Sequence, residues 1–401
     1  MVGHQAAAWS LGRTTAPGWG PTDMRIAHIS DVYLPRLGGV EWQVHDLVAR
    51  QRRRGDDSFV LTTTAHGDDH EPDVPVHRLG VSRRLGAGPY RRIPDAELAA
   101  ALRRCAAELV HVHISAFSPL SWTAARMAGS TGLPTVISVH SMWHDFLPLI
   151  RRYARWQRAT TWPVVWTAVS TVAARAVSAA LDSTVVEVLP NGIDPGDWRI
   201  SRPPGRPPIP TLVSVMRMVR RKRPHALVDV LLALQASHPG RFRAILVGDG
   251  PLLPRLQRRA ANSGSAPSIQ LMGALPRPAI RSVLATADLY IAPASRESFG
   301  IAALEARTAG LPVVARAGTG IADFIRPDVE GWLVGSDGEL AETLAGLLDD
   351  PARLAVVAGR NRTTTPPMSW PSVLEAADAM YQAAIRRQAD PLVPGTVGAP
   401  G

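Results

Sequence analysis

Short apolar runs alternate with longer segments of helical periodicity along most of this chain. The first apolar runs predict strands near 25–30, 58–62, 109–113, 134–139 and 164–168, and the segments between them predict helices near 40–54, 95–107, 119–128 and 171–181. The alternation restarts with strands near 211–216, 242–247, 268–272, 288–292 and 312–315, separated by helices near 223–236, 252–261, 277–285 and 300–309. Such alternation is typical of parallel sheets covered by helices. The pattern therefore predicts an α/β fold of two doubly wound, Rossmann-like parallel-sheet domains facing a cleft.

A proline-rich segment divides the two sets of elements. Its prolines suit neither a helix nor a central strand, so we interpret residues 200–210 as an interdomain linker. The predicted organisation is a flexible extension at 1–23, a first Rossmann-like domain at 24–199, the linker, a second Rossmann-like domain at 211–387 and a flexible tail at 388–401. The last helix of the second domain is expected to pack back on the first. Doubly wound sheets bind ligands at the carboxyl ends of their strands, which places the candidate chemistry in the cleft.

Composition excludes several other classes of protein. A chain of 401 residues with 46% hydrophobic and 19% charged residues is neither intrinsically disordered nor a fibrous rod. Its one cysteine, Cys105, rules out an internal disulfide and a cysteine-based zinc site, and fits a cytoplasmic location. No signal-peptide pattern precedes Met24, and no apolar run reaches the roughly 18 residues of a membrane span. We expect a cytoplasmic protein that is soluble or peripheral on the inner face of the cell membrane.

Basic residues outnumber acidic ones, with 44 Lys and Arg against 34 Asp and Glu. Nearly all of them are arginines, because Lys222 is the only lysine. An arginine bias with abundant Ala, Pro and Gly is also produced by a GC-rich genome, so the charge alone is weak support for nucleic-acid or membrane binding. We expect no nucleic-acid partner, because the arginine pairs are dispersed and lack interleaved aromatic residues; nucleic-acid binding stays the less favoured alternative function.

The most informative stretch runs from a buried strand through a loop into a helix. Glu297 lies in the loop, and Glu305 lies about two turns inside the helix. The backbone N–H groups of Phe299, Gly300 and Ile301 are unpaired at the helix start, which favours anions and hydroxyl-rich ligands. Two carboxylates so placed can hold sugar hydroxyls. The alternative interpretation of Glu305 is a solvated helix residue.

This stretch, with its flanking Ser298-Phe299-Gly300 and Ala309-Gly310-Leu311-Pro312-Val313, resembles the retaining glycosyltransferases of family 4, which have the two-domain GT-B fold. The resemblance extends through most of residues 24–385, and it implies that the domain at 24–199 lies on the acceptor side and that the domain at 211–387 binds the nucleotide sugar. It implies that Glu297 contacts donor-sugar hydroxyls and that Glu305 contacts the nucleotide ribose. The implied donor site also includes Ser298, Phe299, Gly300 and Ile301.

The loop after the first strand of the second domain carries a further part of the resemblance. Arg217 and Lys222 match the arginine and lysine, five residues apart, that hold the donor diphosphate in the family. Departure of a nucleoside diphosphate builds negative charge on phosphate oxygens, and two fixed cations stabilise that charge without a metal. Met216 departs from the family pattern, which commonly has glycine before the arginine. A solvated basic run is the alternative interpretation.

Two glycine-containing turns resemble family elements that lie near the donor. Gly248, Asp249 and Gly250 end a strand and open a helix, as does the family's turn beside the nucleotide. Gly38 and Gly39 precede a helix, as does the family's loop near the diphosphate. Plain structural turns are the alternative at both places.

Histidines at strand ends complete the candidate site. His140 ends a predicted strand and matches the position where family members place a histidine beside the donor sugar; a structural histidine is the alternative. His111 and His113 on a buried strand do not by themselves make a metal site, and no Asp-x-Asp motif occurs. We therefore expect no metal and no cofactor beyond the nucleotide-sugar co-substrate.

The resemblance implies a retaining hexosyltransferase that moves a hexosyl group from GDP-mannose or a UDP-sugar to a hydroxyl group, forming an α-glycosidic bond. The acceptor would be a sugar, a lipid-linked sugar or a small molecule, in glycolipid or cell-envelope glycan synthesis. The implied catalytic residues are His140, Arg217, Lys222 and Glu297, and the leaving diphosphate itself helps take the acceptor proton. The rival functions are a catalytically degenerate nucleotide-sugar-binding protein and a lysine-linked pyridoxal-phosphate phosphorylase.

A basic amphipathic segment bears on the acceptor. Arg151, Arg155 and Arg158 share one face of a predicted helix, and Tyr153 and Trp156 lie on another. Such a pattern predicts peripheral contact with an anionic membrane. The alternative is a helix of the first domain that packs its aromatic residues into the core.

Overall fold

The computed structural model describes residues 24–36, 38–66, 73–80, 90–115, 117–201, 209–264 and 268–389. The predicted extension at 1–23, most of the linker and nearly all of the tail lie outside these residues, so the domain boundaries stay predictions. The predicted fold class is confirmed, because the described strands form two separate parallel sheets, of seven and six strands.

The first sheet is built from the part of the chain before the linker. Its strands are β1 (Arg25–Ser30), β2 (Asp57–Thr62), β3 (Val76–Arg78), β4 (Leu109–Ile114), β5 (Thr135–Val139), β6 (Val165–Ala168) and β7 (Glu187–Val188). They lie in the order β3-β2-β1-β4-β5-β6-β7. The accompanying helices are α1 (Gly39–Arg53), α2 (Asp95–Arg104), α3 (Pro119–Thr131), α4 (Leu147–Trp156), α5 (Thr171–Ala180) and α6 (Pro195–Trp198). Strands β4 and β5 are buried along their whole length, as expected of central parallel strands covered on both faces.

The second sheet repeats this architecture. Its strands are β8 (Thr211–Val215), β9 (Arg243–Val247), β10 (Ile269–Leu271), β11 (Leu289–Ala292), β12 (Val313–Arg316) and β13 (Gly331–Val334), in the order β10-β9-β8-β11-β12-β13. The helices are α7 (Pro224–Ser237), α8 (Leu253–Asn262), α9 (Arg277–Thr286), α10 (Ile301–Thr308), α11 (Asp337–Asp349), α12 (Pro351–Thr363) and α13 (Trp370–Ala389). Short 3-10 segments occur at His144–Phe146, Ala159–Thr161, Arg220–Lys222 and Gly320–Asp323.

Helix α13 leaves the second domain and packs on the first sheet. Its buried residues Val373, Ala377 and Tyr381 belong to one apolar cluster with residues of β1, β4, β5 and β6. The crossing is fixed at its start, because the ring of Trp370 occupies the space that a Cβ on Gly192 would need, at 2.4 Å. A side chain at position 192 would therefore displace the first turn of α13.

Helix α4 is amphipathic, and no helix in the described parts of the chain combines the length and the hydropathy that a membrane span requires.

Both sheets present the carboxyl ends of their strands to the space between the domains. His140 follows β5, whereas Arg217, Gly248 and Glu297 follow β8, β9 and β11. Every loop that the sequence singles out for chemistry thus lies at a strand's carboxyl end, where doubly wound sheets bind ligands.

Candidate active site

The loop between β11 and α10 carries Glu297 and joins it to the basic loop after β8. The carboxylate of Glu297 forms an ion pair with the ammonium group of Lys222, and both side chains are partly buried. Gly300 precedes α10 with a φ of 94°, and a Cβ there would lie 2.5 Å from Cγ1 of Ile321. Only glycine fits this turn, which orients the loop and its carboxylate. The structure thus brings together Glu297, which is predicted to contact donor-sugar hydroxyls, and Lys222, which is predicted to hold the donor diphosphate.

The loop that carries Arg217 is held in place by backbone contacts with the loop after β9. The N–H group of Met218 donates to the carbonyl of Asp249 at 2.8 Å, and that of Met216 donates to Val247 at 3.0 Å. A Cβ on Gly248 would lie 1.8 Å from the carbonyl oxygen of Met216. The space that glycine leaves open is therefore filled by the protein's own backbone, which supports the turn interpretation of Gly248. The loop that contains Gly248 supports the loop that carries Arg217.

Arg217 itself is exposed, and within the described part of the chain its guanidinium group has no hydrogen-bond or ion-pair partner. Asp249 is also exposed, and its carboxylate accepts from the N–H of Gly250 at 2.7 Å.

Glu41, which the sequence did not single out, is buried in the first turn of α1 and lies 3.4 Å from Nε of Arg36. Burial raises the pKa of Glu41, and the charges of Arg36 and Arg217 lower it. The signal for Glu41 was its position two residues after a Gly-Gly pair.

His140 lies where the two domains touch. The hydroxyl of Ser298 donates to the carbonyl of His140 at 2.8 Å, and Ser298 accepts from the hydroxyl of Ser170 at the start of α5. Asp323 accepts from the N–H of Thr171 at 2.7 Å. Burial lowers the pKa of the His140 imidazole to about 4, so the ring is neutral at pH 7. His140 and Ser298, predicted from separate motifs, are direct neighbours.

The starts of helices α1 and α10 face each other across the cleft. Gly38 and Gly39 begin α1, and a Cβ on Gly39 would lie 3.0 Å from Cδ1 of Ile301. Both helix starts carry unpaired backbone N–H groups and the positive end of a helix dipole. Phe299 beside them is buried against Phe324 and anchors the α10 loop. The arrangement favours an anionic ligand between the two helices.

Glu305 is buried on the inner face of α10 and lines a small cavity, which excludes the interpretation of a solvated helix residue. Burial raises the pKa of its carboxyl to about 8. Arg277, at 3.9 Å, favours the charged form, and Asp46 opposes it. Arg277 was missed by sequence reasoning, and it also stacks on the ring of Trp42, 4.7 Å from the centroid. No local pattern marks Arg277, because its partners in the first domain lie more than 200 positions away.

Three buried imidazoles lie close together beneath His140. Ring nitrogens of His28, His111 and His113 lie within 4.8 Å of one another, a spacing compatible with a metal ion. However, each of the six ring nitrogens already has a hydrogen-bond partner in the protein. A metal would have to displace these partners, so we assign none to this cluster.

The surface around α4 has two features that the sequence did not predict, and neither tests the predicted membrane contact. Arg151 and Arg155 form ion pairs with Asp182 at 2.8 Å, so their charge is already matched within the protein. The aromatic alternative is wrong for Trp156, which is 74% exposed, and Leu149 is 59% exposed. The core instead holds other aromatic rings, among them Trp143 and Trp166, which pack edge to face with their centroids 6.4 Å apart. The exposed apolar side chains form one patch, which we call the α4 patch: Phe117, Phe146, Leu149, Tyr153 and Trp156.

Comparison with known proteins identifies the family. Residues 37–197 match the model of "Glycosyltransferase Family 4", and residues 199–363 match that of "Glycosyl transferases group 1". The chain is 30% identical over 357 residues to the GDP-mannose-dependent alpha-(1-6)-phosphatidylinositol monomannoside mannosyltransferase of Mycolicibacterium smegmatis, covering 83% of this chain and 92% of the relative. The chain belongs to the group 1 glycosyltransferases.

Further relatives of this glycosyltransferase extend the comparison. It is 27% identical over 358 residues to the GDP-mannose-dependent monoacylated alpha-(1-6)-phosphatidylinositol monomannoside mannosyltransferase of Corynebacterium glutamicum, covering 83% of this chain and 91% of the relative. Its structure resembles that of Anabaena HepE in complex with UDP and glucose, with a TM-score of 0.72 and 18% identity, covering 90% of this chain and all of the other. This likeness establishes the GT-B fold of the glycosyltransferase.

Proposed function

We propose that this glycosyltransferase transfers a hexosyl group from a nucleotide sugar to a hydroxyl group with retention of configuration. The observation that carries the proposal is the ion pair between Lys222 and Glu297, in the loops at the carboxyl ends of β8 and β11. His140 lies at the same interdomain contact, because it bonds Ser298, the neighbour of Glu297. A sugar ring between these groups would meet a carboxylate, an imidazole and a cation at once, which suits a polyhydroxylated donor with an anionic leaving group.

The leaving nucleoside diphosphate would be held by Lys222 and by Arg217. Arg217 is exposed at the cleft, so its guanidinium is available for a bidentate contact with phosphate oxygens. The facing starts of α1 and α10 add backbone N–H groups to the same region. Since these groups supply fixed positive charge, we propose that transfer proceeds without a metal ion.

The acceptor proton would pass to the departing diphosphate on the same face of the sugar. The neutral imidazole of His140 would position the sugar, and Glu297 would accept hydrogen bonds from its hydroxyl groups. Glu305, buried on the inner face of α10, would bond the hydroxyl groups of the ribose. The names of the relatives support GDP-mannose and UDP-sugars as donor classes.

The proposed acceptor is a phosphoinositol lipid at a membrane surface. Both mannosyltransferases described above act on a phosphatidylinositol monomannoside according to their names. The α4 patch is the feature of this chain that supports a membrane, since contiguous exposed aromatic side chains favour the bilayer interface. The nearby exposed arginines Arg152 and Arg158 would face anionic headgroups, in place of the paired Arg151 and Arg155. We therefore propose a peripheral location on the inner face of the cell membrane.

The decisive experiment measures nucleoside diphosphate release from a panel of GDP- and UDP-sugars, with vesicles of phosphatidylinositol or its monomannoside as acceptor. We expect nucleoside diphosphate release with one donor and an unchanged rate of release in excess EDTA. NMR of the product should show an α-linkage. Glu297→Gln should reduce kcat at least about 100-fold, as removal of one charge-stabilising group does in other enzymes. Glu342→Gln is the matched control, because Glu342 is an exposed glutamate of α11.

Three outcomes would contradict parts of the proposal. Nucleotide binding without release would favour a degenerate nucleotide-sugar-binding protein. A β-linked product would contradict retention if the donor is α-linked, and full loss of activity in EDTA would contradict metal independence. Neither binding nor release across the panel would overturn the assignment of the cleft.

The membrane part has a separate test. Co-sedimentation with phosphatidylinositol-containing vesicles should fall several-fold in Trp156→Ser, because a large exposed apolar surface is lost. Val356→Ser on α12 is the control, since Val356 is 72% exposed but lies in the other domain. Equal co-sedimentation of both variants and the wild type would exclude the α4 patch as the membrane contact.

A further inference from the structure

A continuous chain of buried hydrogen bonds runs from His140 at the cleft through the first domain to Thr167 in β6. From His140 the first links lead to His113 at 3.0 Å and on to His28 at 3.1 Å. His28 bonds the side-chain oxygen of Gln51 in α1 at 2.7 Å, and the amide nitrogen of Gln51 bonds the hydroxyl of Tyr381 in α13 at 2.9 Å.

From Tyr381 the series of hydrogen bonds leads back into the first sheet. Tyr381 bonds Nδ1 of His111 at 2.9 Å, and Nε2 of His111 bonds the hydroxyl of Ser138 at 2.8 Å. Ser138 bonds the hydroxyl of Thr167 at 2.7 Å, and Thr167 donates to the carbonyl of Ile137 at 3.1 Å. All eight side chains except His140 are deeply buried, so water does not compete for these bonds.

The hydrogen bond from Thr167 to Ile137 fixes the donor and the acceptor in every other bond of this series. A backbone carbonyl only accepts, so the hydroxyl of Thr167 donates its hydrogen to Ile137 and must accept from Ser138. Ser138 then accepts from Nε2–H of His111, whose Nδ1 accepts from the hydroxyl of Tyr381. Each group in turn donates toward Thr167. The same rule places the amide nitrogen of Gln51 toward Tyr381 and its oxygen toward the histidines.

The direction continues through the three remaining imidazoles. Burial lowers the pKa of His28 to about 4 and that of His113 well below its usual value, so each neutral ring carries one hydrogen. Nε2–H of His28 donates to Gln51, Nε2–H of His113 donates to Nδ1 of His28, and Nε2–H of His140 donates to Nδ1 of His113. Nδ1 of His140 is then left without a hydrogen.

We propose that Thr167, acting through this chain of hydrogen bonds, holds His140 in the Nε2–H tautomer, so that Nδ1 presents only a lone pair to a ligand in the cleft. His140 can then accept a hydrogen bond from a hydroxyl group and cannot donate one. Thr167, Ser138 and Gln51 are positioning residues, since they act only through their neighbours. That the hydroxyl belongs to the donor sugar rests on the proposed function, whereas the tautomer does not.

A substitution at Thr167 can reverse the direction of this whole series of hydrogen bonds. In Thr167→Val the hydroxyl of Ser138 loses its acceptor, and it regains one by donating to Nε2 of His111. Every later bond then changes direction, the amide of Gln51 rotates by half a turn, and His140 carries its hydrogen on Nδ1. The substitution is nearly isosteric, and Thr167 lies within the sheet rather than in the cleft.

The test is a two-bond proton–nitrogen NMR spectrum of the full chain labelled with ¹⁵N-histidine, which separates hydrogen-bearing from bare ring nitrogens. His140→Asn assigns the signals of that residue. We expect wild-type His140 as a single neutral tautomer with hydrogen on Nε2, and Thr167→Val with most of the hydrogen on Nδ1. Thr167→Ser keeps the hydroxyl and should restore the wild-type spectrum.

Thr135→Val is the matched control, because Thr135 is a buried threonine of β5 whose hydroxyl bonds the carbonyl of Leu133, outside the chain. An unchanged His140 tautomer in a folded Thr167→Val protein would overturn the proposal, as would a wild-type hydrogen on Nδ1. If Thr167→Val does not fold, Gln51→Met can be used instead, because it interrupts the series of hydrogen bonds in its middle. Both neutral tautomers of His140 should then appear, and a single unchanged tautomer in Gln51→Met would also overturn the proposal. The spectrum requires no turnover, so it stands apart from the test of the proposed function.

Discussion

Replacing Gly248 with alanine would move the loop that carries Arg217 without touching any predicted ligand-binding side chain. The new Cβ would lie 1.8 Å from the carbonyl oxygen of Met216, and the φ of 133° at this position is unfavourable for any residue with a Cβ. The carbonyl belongs to the backbone, so no rotation of a side chain relieves the overlap. The two loops must separate.

The size of the separation follows from the contact distance. Non-bonded heavy atoms meet at about 3.5 Å and the new Cβ would lie 1.8 Å from the carbonyl oxygen, so the two loops must part by about 1.7 Å. A misplacement of about 1 Å in a positioning element costs on the order of 100-fold in rate. We therefore expect kcat/KM to fall at least about 100-fold. The left-handed backbone conformation adds about 1–2 kcal/mol of destabilisation.

The assay is nucleoside diphosphate release with the preferred donor, alongside thermal unfolding of each variant. Gly240→Ala is the control, since Gly240 has a φ of 72° and nothing lies within 4 Å of its added Cβ. The control carries the backbone cost alone, so its kcat/KM should stay within about twofold of the wild type. Equal activity of Gly248→Ala and Gly240→Ala would refute the reasoning that the two loops position Arg217.

Three further predictions follow from the site and its surroundings. Burial raises the pKa of Glu305 from 4.5 to about 8, so the free energy of unfolding falls as pH rises between these values. The fall between pH 5 and 8.5 is up to about 4 kcal/mol and should be absent from urea unfolding of Glu305→Gln; a stability difference between variant and wild type that does not change with pH would contradict this. Asp182→Asn should free the two arginines of α4 and raise co-sedimentation with anionic vesicles, an increase that 0.5 M salt abolishes. Ser170 caps α5 by accepting from Ala173 and also donates to Ser298, so Ser170→Ala should lower stability by about 1–2 kcal/mol; an unchanged Tm would exclude the cap.

The sequence predicted the elements of the fold well where the hydrophobic period was long and regular. The predicted strand near 25–30 is β1 (Arg25–Ser30), and the predicted helix near 277–285 is α9 (Arg277–Thr286). Short edge strands such as β3 (Val76–Arg78) gave no signal, because three half-exposed residues carry too little periodicity. The pattern also left α4 ambiguous, since an aromatic face suits a core and a membrane equally.

The candidate residues were predicted from the sequence through their places at strand ends and their resemblance to a family, but their partners were not. Glu305 was predicted to contact the ribose from within a helix, with a solvated position as the alternative, and the structure buries it. At Gly248 the missing side chain makes room for a neighbouring backbone, which agrees with the structural turn that the sequence left as the alternative. That distinction depends on a loop more than 30 positions away, which local patterns do not encode.

The sequence by itself determined that this is an α/β protein whose chemistry lies at the carboxyl ends of parallel strands, because strand and helix periods are local and the topology of such sheets is restricted. Only the tertiary structure decided that Lys222 pairs with Glu297, that Ser298 bonds His140 and that Gln51 bonds Tyr381. These partners lie 75, 158 and 330 positions apart. The first contact arises because β8 and β11 are neighbours in the second sheet, and the other two arise where the two domains meet and where α13 returns to the first domain. The order of residues along the chain does not record these arrangements.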